Sequence, residues 1–179
     1  ISFLINKTIS GASEWEVASF QFESYDSETG RLAAEPISAQ SNTGPWQKSA
    51  VSAMGGVLKS FEYLSSTHGL EGTGGESKVV NVITDMTAPE ADNAFWASDG
   101  IWLGAGGTWN NVARSLDVMA HEIVHGVIEY SSNLRYENQS GALNESFADI
   151  FGVMVDRDDW RIGEDLNGQG LRSLQDPTG

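Results

Sequence analysis

Between Pro45 and His68 the apolar residues Val51, Met54, Val57, Leu58, Phe61 and Leu64 recur every three or four positions, with Gly69 just past the end. That spacing predicts one long amphipathic helix over 46–68. Upstream, Trp15, Val17, Phe20 and Phe22 alternate with polar residues and Asp26–Gly30 is a turn cluster, so the start of the chain reads as β-rich. A Gly-rich break, Glu71–Gly75, precedes the β-branched run Val79–Thr84, which suits a strand. Asn93–Trp96 and Ile101–Leu103, closed by the turn Gly104–Gly107, predict irregular or edge-strand structure. The helical period returns over about 112–131, with Leu116, Met119, Ile123 and Val127 on one side. It returns again over about 140–155, where Leu143, Phe147, Ile150, Phe151 and Met154 form an apolar stripe. The loop 131–138 lets this second helix fold back antiparallel, its stripe toward the first. Beyond 155 the chain reads as an acidic, glycine-rich loop without a helix pattern. The class is α+β, a single domain over 1–179, with a β-rich part at 1–110 that carries the long helix and a helix-and-loop part at 111–179.

Charge narrows the partners. Ten Lys+Arg stand against 25 Asp+Glu, a net charge of −15, which excludes phosphate-backbone contacts and so a nucleic-acid partner. No run approaches the ~18 consecutive apolar residues of a membrane span, and the N-terminus lacks the basic start and apolar run of a signal peptide. The absence of cysteine rules out disulfides, Cys-ligated zinc and a thiol nucleophile. An acidic chain without disulfides points to the extracellular side, where Ca²⁺ held by carboxylates can supply stability.

The chemistry sits on the helix at 112–131. His121-Glu122-Ile-Val-His125 advances about 400° between its histidines, so both imidazoles leave one face within reach of a single metal ion. Composition alone produces this pattern roughly 0.004 times in such a chain, against the alternative of two histidines satisfied by polar neighbours. Neutral imidazole suits Zn²⁺, and Glu122 is placed to act on a metal-activated water instead of ligating. Glu145, on the facing helix, offers a third ligand. Asp149, one turn along, could hold the free ring N–H of a ligating histidine.

These residues resemble the thermolysin-like neutral metalloproteases, secreted zinc endopeptidases. The resemblance rests on His121–His125, Gly141-Ala-Leu-Asn-Glu145 with Asp149–Gly152, Asn93–Trp96, and Asp159–Glu164 with Leu171–Ser173, in family order from about Trp46 onward. It implies His121, His125 and Glu145 as zinc ligands, Glu122 as catalytic base and Asp149 as the partner of His121. It implies Tyr136 as an oxyanion stabiliser, Asn93 and Ala94 as edge-strand contacts to the substrate backbone, and Arg172 as the contact to a substrate carbonyl. Taken alone, Tyr136 reads as a loop aromatic, Asn93 as a turn former and Arg172 as a surface charge. The family also binds calcium, through acids that match Asp117, Asp156, Asp159 and Glu164, while five acids between Asp156 and Asp165 also suit a solvated loop. Arg161 stands where thermolysin has a glutamate, which favours one ion over two. Family members continue into a C-terminal helical domain, which is expected to be absent from this chain and to be its partner. The implied function is peptide hydrolysis by a zinc-activated water acting on peptide or protein substrates. Alternatives are an inactive metal-binding fragment and a calcium-dependent scaffold module.

Overall fold

A computed structural model describes residues 2–3, 19–26, 31–32, 48–70, 72–74, 79–97 and 100–176. Trp15, Val17, residues 27–30 of the turn cluster, Pro45, Glu71 and Gly75 lie outside the described residues. The strands are β1 (Ser2–Phe3), β2 (Ser19–Asp26), β3 (Arg31–Leu32), β4 (Val79–Met86), β5 (Ala94–Ala97) and β6 (Gly100–Gly104). They form one sheet in the order β1-β2-β4-β6-β5, with β3 paired to β2. β2, β4 and β6 run parallel, whereas β5 folds back antiparallel on β6 with Ala94 opposite Leu103. Ile101–Leu103 is therefore interior, with Ile101 and Leu103 fully buried, and β5 forms the edge at this end of the sheet.

The long helix, α1 (Lys48–His68), packs on this sheet. Its buried side follows the apolar spacing in part, with Met54 and Phe61 also packed on the core. Ala50, Ala53, Gly56, Val57, Ser60 and Leu64 are buried, while Val51 and Leu58 are exposed. Where a neighbouring helix, α2 (Leu116–Tyr130), meets α1, the Met119 side chain occupies the space that a Cβ on Gly56 would take. Asp85, at the β4 bulge, accepts hydrogen bonds from Ser49 Oγ (2.6 Å) and Asn111 Nδ2 (2.9 Å). It thereby ties α1 and β4 to the 3₁₀ turn Val112–Arg114 that leads into α2.

α3 (Asn138–Val155) lies against α2. Here the expected stripe is split: Phe151 packs against the core, whereas Leu143, Phe147 and Ile150 are exposed and much of the side toward α2 is polar or small. Gly152 approaches the Asp117 backbone closely, Ala148 is fully buried against Val124 and Ile128, and Asn144 and Asp149 bond to α2 histidines. A glycine and an alanine let the backbones come near enough for short polar side chains to bridge them. The segment after α3 also carries more structure than its composition predicts, with α4 (Glu164–Asn167) between β7 (Arg161–Ile162) and β8 (Arg172–Ser173). β7 and β8 pair antiparallel. Ile162 and Leu166 join the main core with Val57, Val82, Met119 and Val153.

Candidate active site

Four residues apart on α2, His121 and His125 bring their Nε2 atoms within 3.0 Å of each other. From α3, Glu145 reaches His121 Nε2 at 3.3 Å and His125 Nε2 at 3.5 Å. Two imidazoles and a carboxylate thus converge on one point, the donor set and crowding that suit Zn²⁺. The opposite ring nitrogens are also held. His121 Nδ1 lies 2.8 Å from Asp149 Oδ1, and His125 Nδ1 lies 2.8 Å from Asn144 Oδ1. Both partners are acceptors, so each Nδ1 donates to its partner and each Nε2 faces the shared point. Asn144 was not picked out from the sequence. Its signal was an asparagine inside a helix beside a candidate ligand, where an amide needs a side-chain task. Its Nδ2 donates to the Leu134 carbonyl (3.3 Å), which orients Oδ1 toward His125.

Glu122 is buried at 6% exposure and lines the same cleft. Burial pushes its carboxyl up to about 7, against the opposing pull of His121 and a hydrogen bond from the Trp96 backbone N–H. The strand carrying Trp96 is seated on α2 by its indole, whose Nε1 donates to Glu129 Oε2 (2.9 Å) and whose ring lies over Gly126. Glu145 is held near 2 by its bond from His121, in spite of partial burial. Tyr136 is exposed, yet its hydroxyl donates to Glu145 Oε1 and its ring meets His125 edge-on. That bond to a carboxylate pushes the phenol up to about 12.

Asn93 and Ala94 stand at the head of the edge strand and line the cleft. The Asn93 side chain donates to Glu90 (2.6 Å), and just before it Asp92 accepts the backbone N–H groups of Gly107, Thr108 and Trp109, pinning that loop. Arg172, on β8, grips Asp149 with Nε and Nη2, both at 2.5 Å, instead of standing free as a surface charge. The cleft has a volume of about 580 Å³. Beside Arg172 its wall is apolar, formed by Trp109, Val112, Val118, Ile162, Leu166 and Leu171.

Behind α2 a second set of carboxylates meets. Asp117, Asp156 and Glu164 bring ligand oxygens within 4.8 Å of one another. Asp117 is buried and accepts from Ser115 Oγ and from the N–H groups of Val118 and Gly163. Glu164 Oε2 is buried with no hydrogen-bond partner. Burial, helped by neighbouring acids, pushes Asp156 up to about 6 and Glu164 up to about 7. Asp159 is outside this group, its carboxylate accepting the Arg161 N–H.

With this geometry in hand, comparison with known proteins is decisive: residues 7–129 match the family model of the thermolysin metallopeptidase catalytic domain. The chain belongs to the thermolysin metallopeptidase family. It is 40% identical over 136 residues to Bacillolysin of Brevibacillus brevis, covering 72% of this chain and 26% of that protein. It is 32% identical over 164 residues to Extracellular elastase of Staphylococcus epidermidis, covering 86% of this chain and 32% of that protein. The chain thus spans about a quarter to a third of these curated relatives. Among solved structures it resembles the precursor of protealysin, a metalloproteinase from Serratia proteamaculans, with TM-score 0.69 and 26% identity over 93% of this chain and 56% of that one.

Residues 132–179 match the thermolysin metallopeptidase alpha-helical domain. This corrects the expectation that the family's C-terminal helical domain is absent. The expectation took both helices of the antiparallel pair as one catalytic unit, whereas the family boundary falls in the loop between them. In this thermolysin metallopeptidase chain, His121, His125 and Glu122 come from the catalytic-domain match and Tyr136, Glu145, Asp149 and Arg172 from the helical-domain match.

Proposed function

We propose that this chain carries the active centre of a secreted zinc metalloendopeptidase that cleaves internal bonds of extended peptides. The convergence of His121 Nε2, His125 Nε2 and the Glu145 carboxylate in one cleft with buried Glu122 carries this reading. When bound there, Zn²⁺ supplies Lewis acidity and brings water's pKa to around 7. Glu122 takes the proton from the attacking water and hands it to the leaving amine. Its burial in the cleft beside the metal-ligating residues suits both transfers. The Tyr136 hydroxyl, within reach of Glu145, donates to the oxyanion as charge develops. The substrate backbone adds to the open side of β5 at Asn93 and Ala94, which fixes its direction without reading a particular sequence. Arg172 binds a substrate carbonyl, and the apolar wall beside it accepts a large apolar side chain of the peptide.

The second carboxylate set fits a calcium ion. Its hard oxygen donors, and a buried Glu164 oxygen without a partner, call for a divalent cation held by Asp117, Asp156 and Glu164. Secretion accords with the printed name of the staphylococcal relative, with the acidic composition, and with the finding that no helix among the described residues is long and apolar enough to cross a membrane.

The test is zinc content after dialysis, paired with cleavage of an internally quenched peptide. One zinc per chain is expected, lost in His121→Ala. Glu122→Gln should keep the metal and lose about 10²–10⁴-fold in rate. Zinc below half an equivalent in the unmutated protein overturns the metal assignment. Undiminished cleavage by zinc-loaded Glu122→Gln overturns the role of the base, and a zinc-loaded chain that cleaves nothing overturns endopeptidase activity for it.

A further inference from the structure

The guanidinium of Arg172 bonds the Asp149 carboxylate through two parallel N–H groups, Nε to Oδ2 and Nη2 to Oδ1, each at 2.5 Å. The same Oδ1 takes the bond from His121 Nδ1 at 2.8 Å. Nη2 also comes within 3.5 Å of that ring nitrogen and 3.9 Å of Glu145 Oε2. A carboxylate that bonds only a histidine can pivot about its own χ2, and the imidazole follows it. A planar fork bound across both oxygens removes that freedom. The Asp149 side chain is only 14% exposed, so water contributes little to its orientation. We propose that Arg172 is a positioning residue for the zinc centre, setting the His121 ring through Asp149. This rests on the zinc reading of the His121, His125 and Glu145 cluster.

The arrangement is asymmetric. His125 is oriented by a neutral amide anchored to the Leu134 carbonyl, whereas His121 is oriented by an ion pair that reaches from β8 across α3 to α2. Nη1 takes no part in either bond to Asp149, so the proposed contact to a substrate carbonyl is compatible with the clamp. One residue would then couple substrate recognition to the geometry of the metal ligand.

The experiment is competition of the protein against a zinc chelator of known affinity, for the unmutated chain, Arg172→Met, Arg172→Lys, Asp149→Asn and the double variant Arg172→Met/Asp149→Asn. Removing a partner that orients a ligand typically costs about 10–100-fold in metal affinity, and Arg172→Met and Arg172→Lys are each expected to weaken zinc by about 10-fold. Lysine keeps the charge but not the fork, so a loss in both assigns the effect to geometry. The double variant should be no weaker than Asp149→Asn alone, because the arginine acts only through that carboxylate. Affinity within twofold of the unmutated protein in either arginine variant overturns the proposal, as does a double variant whose losses add. Should Arg172→Met fail to fold, Arg172→Lys decides alone. No zinc bound by the unmutated protein would overturn the metal assignment itself, a result distinct from equal binding by every variant.

Discussion

Gly55→Ala and Gly152→Ala make the same chemical change inside two helices and should move stability in opposite directions. A methyl on Gly152 would lie 2.8 Å from the Asp117 carbonyl oxygen and 3.2 Å from Ile162 Cδ1, where ordinary contact begins at 3.4 Å. Neither neighbour yields easily. The carbonyl belongs to the first turn of α2, whose Asp117 side chain is pinned by Ser115, Val118 and Gly163, and Ile162 is 1% exposed. Replacing a helical glycine gains about 1 kcal/mol of backbone entropy. Overpacking against fixed atoms costs about 1–3 kcal/mol, here at the upper end because a backbone group must move. The net expectation is a loss of about 1–2 kcal/mol, or a Tm lower by about 3–6 °C for a chain of this size. A methyl on Gly55 meets nothing within 4 Å, so its substitution should keep most of the entropic gain and raise Tm by about 2–4 °C. Thermal unfolding followed by tryptophan fluorescence measures both shifts at one pH. A Gly152→Ala protein at least as stable as the unmutated one would refute the close approach of α3 to α2.

With calcium removed by a selective chelator, the raised Asp156 and Glu164 carboxyls predict stability that rises as pH falls through about 7 to 5, because the folded state binds those protons more tightly. Added calcium should reverse the slope, and Asp156→Asn should flatten it, as read from Tm against pH. Asp92→Ala should speed amide exchange at Gly107, Thr108 and Trp109 while leaving the α2 amides protected, since its carboxylate is their shared acceptor. Asn144→Ala should weaken zinc by about 10-fold by releasing His125, measured by the same chelator competition.

The order of elements could be read from periodicity, and the metal motif from spacing, because both are local. Orientation was less legible. Val51 and Leu58 satisfy a helical stripe on α1 but are exposed, whereas Val57 and Leu64 of the same stripe are buried. On α3 hydrophobicity was a partial guide: Phe151 packs inward, but Leu143, Phe147 and Ile150 are exposed while Asn144 and Asp149 reach the α2 histidines. Glu145 and Asp149 were recognisable by their chemistry, whereas Asn144 looked like any polar helical residue until the His125 ring was placed beside it. Arg172 was found as a residue, but its bond to Asp149 arises between segments that no local pattern relates. The short β7–α4–β8 unit escaped notice because its pieces are only two to four residues long.

The polar seam between α2 and α3 bears on how the helical hairpin finds its register. A seam of leucines tolerates a slip of one turn, because one methyl substitutes for another. Here a slip would bury Asp149 away from His121 and Arg172, and Asn144 away from His125, each stranded without the group it was matched to. Misaligned closures are thus penalised one by one, while the correct one satisfies all of these side chains together. The groups that orient the histidines would in this way also proofread the pairing of the helices during folding, before any substrate arrives.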